Sequence, residues 1–380
     1  MKRPLEALIQ NALHAAIAAG DLRVHEEAVC VVEEPEDGAF GDATCRVAMS
    51  IARAAGRPAI EIARTVAGHV RDPYGWLAGI EAAGPGFINL HASPAFWRAE
   101  LGGVLERGPR GEGHPLGPAS VLAMAPDDDP AGPRVTLVAD AVGRLLAAAG
   151  WDVVRATVRA DDASALAPAM RAGVTRCVVV GVHGAANLVA QAKRLRAEAG
   201  GDPGTTAVVA VRPVLVSRHG RPVDPEARCA VVATDTGRFA VLGEAPELPV
   251  ELDLDHVHAE RIDNPLFAVD YALARIGRVV RGGGAPPSDL GRLGSAEREC
   301  LRLVARHHDV VDDAARRSEP HRVVRHVRAV AAAFHRYYNR HHPLCGDPTD
   351  AAAQLAMLRG IAIVLQDGLA LAGVRGAEGR

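Results

Sequence analysis

The spacing of apolar residues changes at about residue 252. Before that point, segments with helical spacing alternate with short apolar runs typical of strands. Beyond it, the periodic segments through to Gly373 have only the helical spacing. Because alternating strands and helices build a parallel sheet and helices alone build a bundle, the pattern predicts α/β domains followed by an all-α domain. A chain of 380 residues is long enough for two or three such domains, each with its own core.

The first predicted domain is an α/β module over residues 1–110. Its opening segment repeats apolar residues with helical spacing and ends at Gly20, where a helix C-cap is expected. The remaining elements are two further helices and a hairpin around a Gly-Pro-Gly turn. In chain order, the module is predicted to contain a helix over 4–19, a strand over Val29–Glu33, helices over Asp42–Ala55 and Ala59–Val70, and strands over Ile80–Leu90 around the turn Gly84-Pro85-Gly86.

A Gly/Pro-dense stretch containing the acidic run Asp127–Asp129 follows, and residues 111–133 are interpreted as a linker. The second domain, residues 134–250, is predicted to be a small parallel sheet with helices. The third, residues 251–380, is predicted to be a helical bundle with a break at Gly282–Pro287. The elements expected in the middle domain are a helix over Leu137–Ala149, strands over Val153–Val158 and Cys177–Val182, a helix over Ala185–Ala199, and a strand over Thr206–Val211.

The composition is that of a globular protein, with 48% hydrophobic and 23% charged residues. Apolar runs are interrupted by charges, Gly or Pro before they reach the roughly 18 residues of a membrane span, so no bilayer crossing is expected. Polar residues also interrupt the N-terminal segment, which argues against a signal peptide and for a cytoplasmic location. The six cysteines form no C-x-x-C pair, so buried thiols are expected rather than disulfides or a metal site.

The segment from Ser318 to His342 predicts a helix with one packed side and one basic side. On a wheel of about 100° per residue, the valines, Phe334 and Tyr338 cover one side, and Tyr337 falls at the seam. The polar side then carries His321, Arg322, Arg325, Arg328, His335, Arg336, Asn339 and Arg340.

Residues 290–345 contain 11 arginines and 6 acidic residues, within a chain whose net charge is -3. One interpretation is an ordinary bundle helix with a solvated outer face. The other is a surface for a polyanion, with guanidinium groups on phosphates and an aromatic ring for an unpaired base. The chain has only two lysines, Lys2 and Lys193, and GC-rich coding also produces such an arginine-rich composition. Charge alone therefore does not decide between the two.

The residues themselves resemble a known family. Glu319-Pro320-His321-Arg322, followed by Phe334-His335-Arg336-Tyr337-Tyr338-Asn339, resembles the E-P-H-x-L…F-H-x-F/Y-Y-N segment of the arginyl-tRNA synthetase anticodon-binding domain. Residues 264–276 are similar to the family's N-P-V-x-Y-V-Q-Y-A-H-A-R-I helix, and residues 367–374 to its x-G-L-x-L-L-G-V terminus. The resemblance implies a DALR-type helical domain that binds the anticodon region.

The N-terminal module carries matching motifs. Gly41-Asp42-Ala43-Thr44 resembles the family's G-D-Y-A-T-N, and residues 83–89 resemble its A-G-P-G-F-I-N. In the family this module holds the tRNA elbow. The resemblance implies that Phe87 and Asn89 contact the tRNA D-loop, that Arg336, Tyr337, Asn339 and Arg340 lie near the anticodon, and that Arg322 and Arg325 bind phosphate.

The chain departs from the family at the catalytic signatures. Residues 129–133 resemble N-P-T-G-P but run directly into the helix that normally follows the H-x-G-H motif. Where the K-M-S-K loop is expected, Asp224-Pro225-Glu226 follows residues 216–223, and carboxylates there would repel a triphosphate. A lone His183 stands where the family has G-x-D-H-H-G. The middle domain is thus expected to be a truncated Rossmann-like remnant of a class I synthetase.

The sequence therefore predicts a non-catalytic tRNA-binding protein derived from arginyl-tRNA synthetase, with neither a metal nor a cofactor. The expected partners are tRNA of the arginine type and a catalytic synthetase, and no membrane. Two alternatives remain open at this point. One is a residual arginine-tRNA ligase that uses ATP, and the other is a regulatory module whose arginines meet an acidic protein.

Overall fold

The computed structural model describes residues 1–24, 28–33, 35, 40–108, 116–124, 132–158, 176–182, 190, 193, 197, 206–280, 295–341 and 348–375. Three parts are recognisable within them: an N-terminal module with an antiparallel sheet, a middle part with a parallel sheet, and C-terminal helices. One continuous cluster of buried apolar side chains runs through all three.

The N-terminal module packs three helices against a four-stranded antiparallel sheet with the strand order β1-β2-β4-β3. Its first helix buries Leu5, Leu8 and Leu13 on one side, as the apolar spacing predicted. The elements are α1 (Lys2–Ala18), β1 (Val32–Glu33), β2 (Ala43–Cys45), α2 (Val47–Ala55), α3 (Ala59–His69), β3 (Leu77–Ala83), β4 (Phe87–Ala92) and α4 (Pro94–Arg107).

The helix predicted over Asp42–Ala55 is wrong in its first part. Ala43–Cys45 form strand β2, which pairs with Leu90, Asn89 and Ile88 of β4, and the helix begins only at Val47. The three residues have no strong strand signal of their own. Their extended conformation comes from the ladder with β4, a long-range contact that local periodicity does not report.

The middle part is built on a parallel sheet with the order β6-β5-β7-β8, which confirms the predicted parallel arrangement. Its central strand, β5 (Gly117–Met124), lies inside the stretch interpreted as a linker, so that interpretation is wrong for these residues. The elements are β5, α5 (Gly132–Ala148), β6 (Trp151–Val158), β7 (Arg176–Val182) and β8 (Thr206–Val211).

A smaller sheet and three short helices connect the parallel sheet to the C-terminal part. In this sheet β9 pairs antiparallel with β10 and parallel with β11. The elements are β9 (Val214–Arg218), β10 (Arg221–Pro222), α6 (Pro225–Ala233), α7 (Asp235–Leu242), β11 (Val250–Asp253) and α8 (Leu254–Val257).

The C-terminal part is helical, as predicted. Within the described residues its helices are α9 (Pro265–Val280), α10 (Ser295–Arg317), α11 (His321–Arg340) and α12 (Pro348–Ala372). Among the residues that the structure covers, only Ala351–Ala372 is long and apolar enough to cross a bilayer, and most of that segment is buried inside the protein. Its apolar character is therefore accounted for by packing against the other helices.

Several expectations fall outside the described residues. These are the acidic run Asp127–Asp129, His183, most of the helix expected over Ala185–Ala199, the break at Gly282–Pro287, and Cys345. Of the other cysteines, Cys30, Cys45, Cys177 and Cys300 are buried as expected, whereas Cys229 is exposed.

Gly368 allows α12 to pack closely against α11. A Cβ atom at this position would lie 2.1 Å from Cγ2 of Val327, a fully buried and β-branched side chain. Because a β-branched side chain in a helix has essentially one rotamer, Val327 cannot turn away. The glycine of the terminal motif thus sets the distance between the two helices.

We expect alanine substitution at two helical glycines to change stability in opposite directions. Gly368→Ala should lower the free energy of unfolding by about 1–3 kcal/mol through overpacking. Gly102→Ala in α4 has nothing within 4 Å of its new Cβ and should raise it by about 0.5–1 kcal/mol, because alanine favours the helix. Urea unfolding of both variants measures the difference. Equal effects of the same sign would contradict the packing role of Gly368.

Candidate nucleic-acid interface

Helix α9 is fixed in place by Asn264, the first residue of its motif. This asparagine is buried, and its Nδ2 donates to the carbonyl oxygens of Val257 at 2.8 Å and Ala259 at 2.9 Å. Its Oδ1 accepts from the backbone N–H of Leu266 at 3.2 Å and of Phe267 at 3.4 Å. The side chain therefore caps the helix N-terminus and also ties it to the preceding turn.

Helices α9 and α11 pack together, so the two C-terminal motifs meet in space. His335 of α11 is buried, and its Nε2 lies 2.8 Å from the carbonyl oxygen of Ala268 in α9. Its ring stacks on Tyr271 with centroids 5.6 Å apart. Burial lowers the pKa of His335 from its usual value, so the ring is neutral at pH 7 and serves packing. The helical wheel was wrong to place His335, and also buried His321, on an exposed side.

A half-exposed row of side chains runs along α9 beside the end of α11. Phe267, Tyr271 and Arg275 follow one another at intervals of four residues, and the two rings stack with centroids 5.9 Å apart. The Arg275 guanidinium lies over the rings of Tyr271 at 4.5 Å and Tyr338 at 4.6 Å. Its Nη1 donates to Oδ1 of Asn339 at 3.2 Å. We call these five residues the aromatic edge.

The aromatic edge combines the groups that single-stranded RNA recognition uses. Half-exposed aromatic rings and a guanidinium plane can stack on unpaired bases, and an exposed asparagine amide can hydrogen-bond base edges. The sequence predicts Asn339 as a site residue, whereas Phe267, Tyr271 and Arg275 are not among the predicted residues. Their spacing of four residues, which places them on one face of a helix, was the signal that could have identified them.

Tyr337 does not belong to this edge, which corrects its predicted position at the exposed seam. The residue is only 4% exposed, and its hydroxyl donates to Oε1 of Glu297 in α10 at 3.2 Å. Burial and the Glu297 carboxylate raise its pKa. Tyr338, which was expected in the core, is the half-exposed ring. A helical wheel orders residues by angle but does not show that α10 covers the seam.

Three arginines of α11, namely Arg322, Arg325 and Arg336, are engaged in contacts within the protein. Arg322 pairs with Glu319 and, at 3.4 Å, with Asp313, whereas Arg336 pairs with Glu299 at 2.5 Å. Arg325 donates to the carbonyl oxygen of Gly243 at 2.9 Å and pairs with Glu244 at 3.2 Å. Arg328 and Arg340 are exposed. No carboxylate among the described residues forms an ion pair with either of them. The basic side is thus partly neutralised, which its composition did not reveal.

In the N-terminal module, the two motifs meet across the sheet. Thr44 pairs with Asn89 in the β2–β4 ladder, and its Oγ1 donates to Oδ1 of Asn89 at 3.0 Å. Both residues are buried. In this conformation Asn89 holds two strands together and offers no surface to a ligand, which corrects its predicted exposure. Phe87, directly after the turn, is only half-buried, with its ring beside Gly84.

Comparison with known proteins identifies the origin of these modules. The family model described as the arginyl tRNA synthetase N terminal domain matches residues 4–92, and the DALR anticodon binding domain matches residues 269–378. The chain belongs to the arginyl-tRNA synthetase family. Its fold agrees with this assignment: the arginyl-tRNA synthetase of Thermus thermophilus superposes with a TM-score of 0.74 at 14% identity, covering 100% of both chains. The enzyme of Plasmodium falciparum gives 0.73 at 8% identity, covering 99% of this chain and 98% of that one.

Curated relatives match only part of their length. The arginine–tRNA ligase of Syntrophotalea carbinolica is 33% identical over 156 residues, which are 39% of this chain and 28% of the relative. That of Desulfitobacterium hafniense strain DCB-2 is 31% identical over 210 residues, 50% of this chain and 37% of the relative. The chain therefore spans about a third of the length of the curated relatives that it matches.

Asp224, which the sequence resemblance places where a lysine loop is expected, has a structural role. The Asp224 carboxylate accepts from the backbone N–H of Ala227 at 2.8 Å, and Pro225 occupies the first turn of α6. Asp followed by Pro is a strong helix start. The Asp224 carboxylate thus caps α6. No group of three His, Cys, Asp or Glu side chains within the described residues is arranged to hold a metal.

We expect the two adjacent tyrosines to respond differently to loss of the hydroxyl. Tyr337→Phe removes one hydrogen bond to the buried Glu297 carboxylate, so the free energy of unfolding should fall by about 1–3 kcal/mol. Tyr338→Phe, at a half-exposed ring, should stay within about 0.5 kcal/mol of the parent. Urea denaturation at pH 7 compares them. A larger loss for Tyr338→Phe would contradict the assignment of Tyr337 to the core.

Proposed function

We propose that this protein binds tRNA without aminoacylating it, with the aromatic edge as the contact that recognises unpaired bases. The single observation that carries the proposal is the convergence of the two C-terminal motifs on that edge. The match to the DALR anticodon binding domain covers all of these residues except Phe267, which supports an anticodon-loop target. Because the relatives carry the name arginine–tRNA ligase, a tRNA of the arginine type is the first substrate to test.

The non-catalytic part of the proposal is supported by the sequence. With only two lysines, Lys2 in α1 and Lys193, the chain has no K-M-S-K loop, and it has no H-x-G-H motif. Adenylation builds charge on the ATP phosphates, and these motifs supply the groups that stabilise it. Asp224 and Glu226 would have the opposite effect in that position.

Alanine substitution on the aromatic edge should weaken tRNA binding. Tyr271→Ala or Tyr338→Ala removes a stacking ring, which is worth about 1–3 kcal/mol per base. Filter binding with an unmodified arginine-type tRNA transcript gives the dissociation constant. Tyr337→Phe is the matched control, because it lies on the same helix but is buried, and it should bind like the parent. Unchanged affinity in both alanine variants would place recognition elsewhere on the chain.

The salt dependence of that binding should be shallow. If Arg322, Arg325 and Arg336 all released their carboxylates to hold RNA along with Arg328 and Arg340, five phosphates would give a slope of about −3.5 in log K against log salt. With the ion pairs intact, Arg328 and Arg340 contribute about two phosphates and a slope of about −1.4. A titration over roughly 50–200 mM salt distinguishes these values. A slope near −3.5 would show that the ion pairs open on binding.

A pyrophosphate-exchange assay with arginine and ATP, run with and without tRNA, tests for residual ligase activity. We expect no exchange above the background of the protein-free reaction. Exchange that co-purifies with this chain and responds to arginine would overturn the non-catalytic proposal. It would leave the tRNA contact at the aromatic edge to be judged by the binding experiment.

A further inference from the structure

A polar cavity of about 450 Å³ lies where the start of α1 meets α10 and α11, away from the aromatic edge. Four cationic side chains line it: Lys2, Arg306, Arg322 and Arg325. Two carboxylates, Asp309 and Asp313, also line it. The volume is that of a small-molecule site.

Two arginines of the wall, Arg322 and Arg325, retain hydrogen-bonding capacity. Arg322 contacts carboxylates through Nε and Nη1, and Arg325 contacts Gly243 and Glu244 through Nε and Nη2. A guanidinium has five N–H donors, so each keeps donors for a further acceptor. The wall carries four positive and two negative formal charges. Glu244 and Glu319, which pair with these arginines, reduce that excess.

Two buried histidines complete the cavity. His321 and His326 line it, and each is 7% exposed. Nδ1 of His321 and Nε2 of His326 have no hydrogen-bond partner among the described residues. Burial lowers the pKa of both rings, most strongly for His326, which also lies beside His307 and Arg306. A buried polar atom without a partner is costly, and such an atom calls for an explanation by a missing ligand, ion or water.

We propose that this cavity binds a phosphate dianion, in the form of inorganic phosphate or a phosphomonoester. Phosphate oxygens can accept from the remaining arginine N–H groups and from an imidazole N–H together, which a single water cannot do. A carboxylate offers two oxygens, whereas a terminal phosphate offers three and carries up to two charges. An internal RNA phosphodiester, like a carboxylate, offers only two non-bridging oxygens, so the several donors of the wall favour a terminal phosphate. The proposal does not depend on tRNA binding.

Isothermal titration of the full chain with inorganic phosphate, at constant ionic strength, tests the site. We expect saturable binding to one site, and we expect Arg322→Gln combined with Arg325→Gln to weaken it by at least about tenfold through the loss of charge-assisted hydrogen bonds. Arg336→Gln is the matched control, because Arg336 lies on the same helix, is also ion-paired, and does not line the cavity. Thermal unfolding verifies that all variants fold.

Histidine-ring NMR locates the bound anion. Phosphate should shift the ring signals of His321 and His326 but leave those of His335, whose Nε2 already has the Ala268 carbonyl as partner. The proposal is overturned if no saturable binding occurs, if the double variant binds like the parent, if Arg336→Gln weakens binding equally, or if the rings of His321 and His326 do not respond.

Competition distinguishes the source of the phosphate. AMP should bind and adenosine should not, because the phosphate is the recognised group. If saturating tRNA leaves phosphate binding unchanged, the cavity serves a free anion. If tRNA displaces phosphate, an RNA phosphate occupies the same cavity. Adenosine binding as tightly as AMP would contradict phosphate recognition. Failure of tRNA to bind at all would defeat the proposed function without affecting the phosphate titration.

Discussion

The contacts between the parts of this protein depend on arginine side chains that bind main-chain carbonyl groups of other elements. Arg134, at the start of α5, is fully buried and donates to the carbonyl oxygens of Arg212, Glu244, Ala245 and Leu248 at 2.5–3.3 Å. Burial lowers its pKa to about 10, which still leaves it charged at neutral pH. Arg144 and Arg176 act similarly on the last turns of α12 and α10, at 2.5–3.1 Å. Helix C-termini expose unpaired carbonyls and carry partial negative charge, so a guanidinium there satisfies both.

This use of arginine changes how the composition should be interpreted. An arginine-rich chain suggests a surface for nucleic acid, yet Arg134, Arg144 and Arg176 face inward and hold the middle part against its neighbours. Arg325 is both a structural and a surface arginine, because it binds a carbonyl group at the end of α7 and its side chain is still half-exposed. Net charge therefore says little about where RNA would bind, and the geometry of half-exposed rings says more. That is why the proposed contact rests on the aromatic edge rather than on the basic side of α11.

The local sequence pattern is sufficient to predict elements whose buried side follows from the spacing of their own apolar residues. It is insufficient where a contact with a distant segment determines the conformation or the burial. α1, α3, the β3–β4 hairpin and α11 carry a clear period or turn signal, and the structure has all of them. Strand β5 was missed because it contains Gly117 and Pro118, which weaken a strand signal. The proline is tolerated because pairing with β7 begins only at Ala119, and Pro118 itself is matched only to Asp152 of β6.

Packing of α10 against α11 likewise determines which of the adjacent residues Tyr337 and Tyr338 is buried. The sequence of α11 alone contains no information about that contact.

Several motif residues that signal the family turn out to perform folding tasks in this chain. Asn264 caps α9, Gly368 admits Val327, Asn89 joins β2 to β4, and Asp224 starts α6. Their retention is explained by the fold alone, so it cannot by itself indicate that RNA is still held. RNA binding must then be inferred from groups that the fold leaves half-exposed or exposed. Tyr338 and Asn339 at the end of α11, with Tyr271 and Arg275 opposite them, meet that condition. These rings and the amide lie together at a solvent-facing edge, which is the arrangement that stacking on unpaired bases requires.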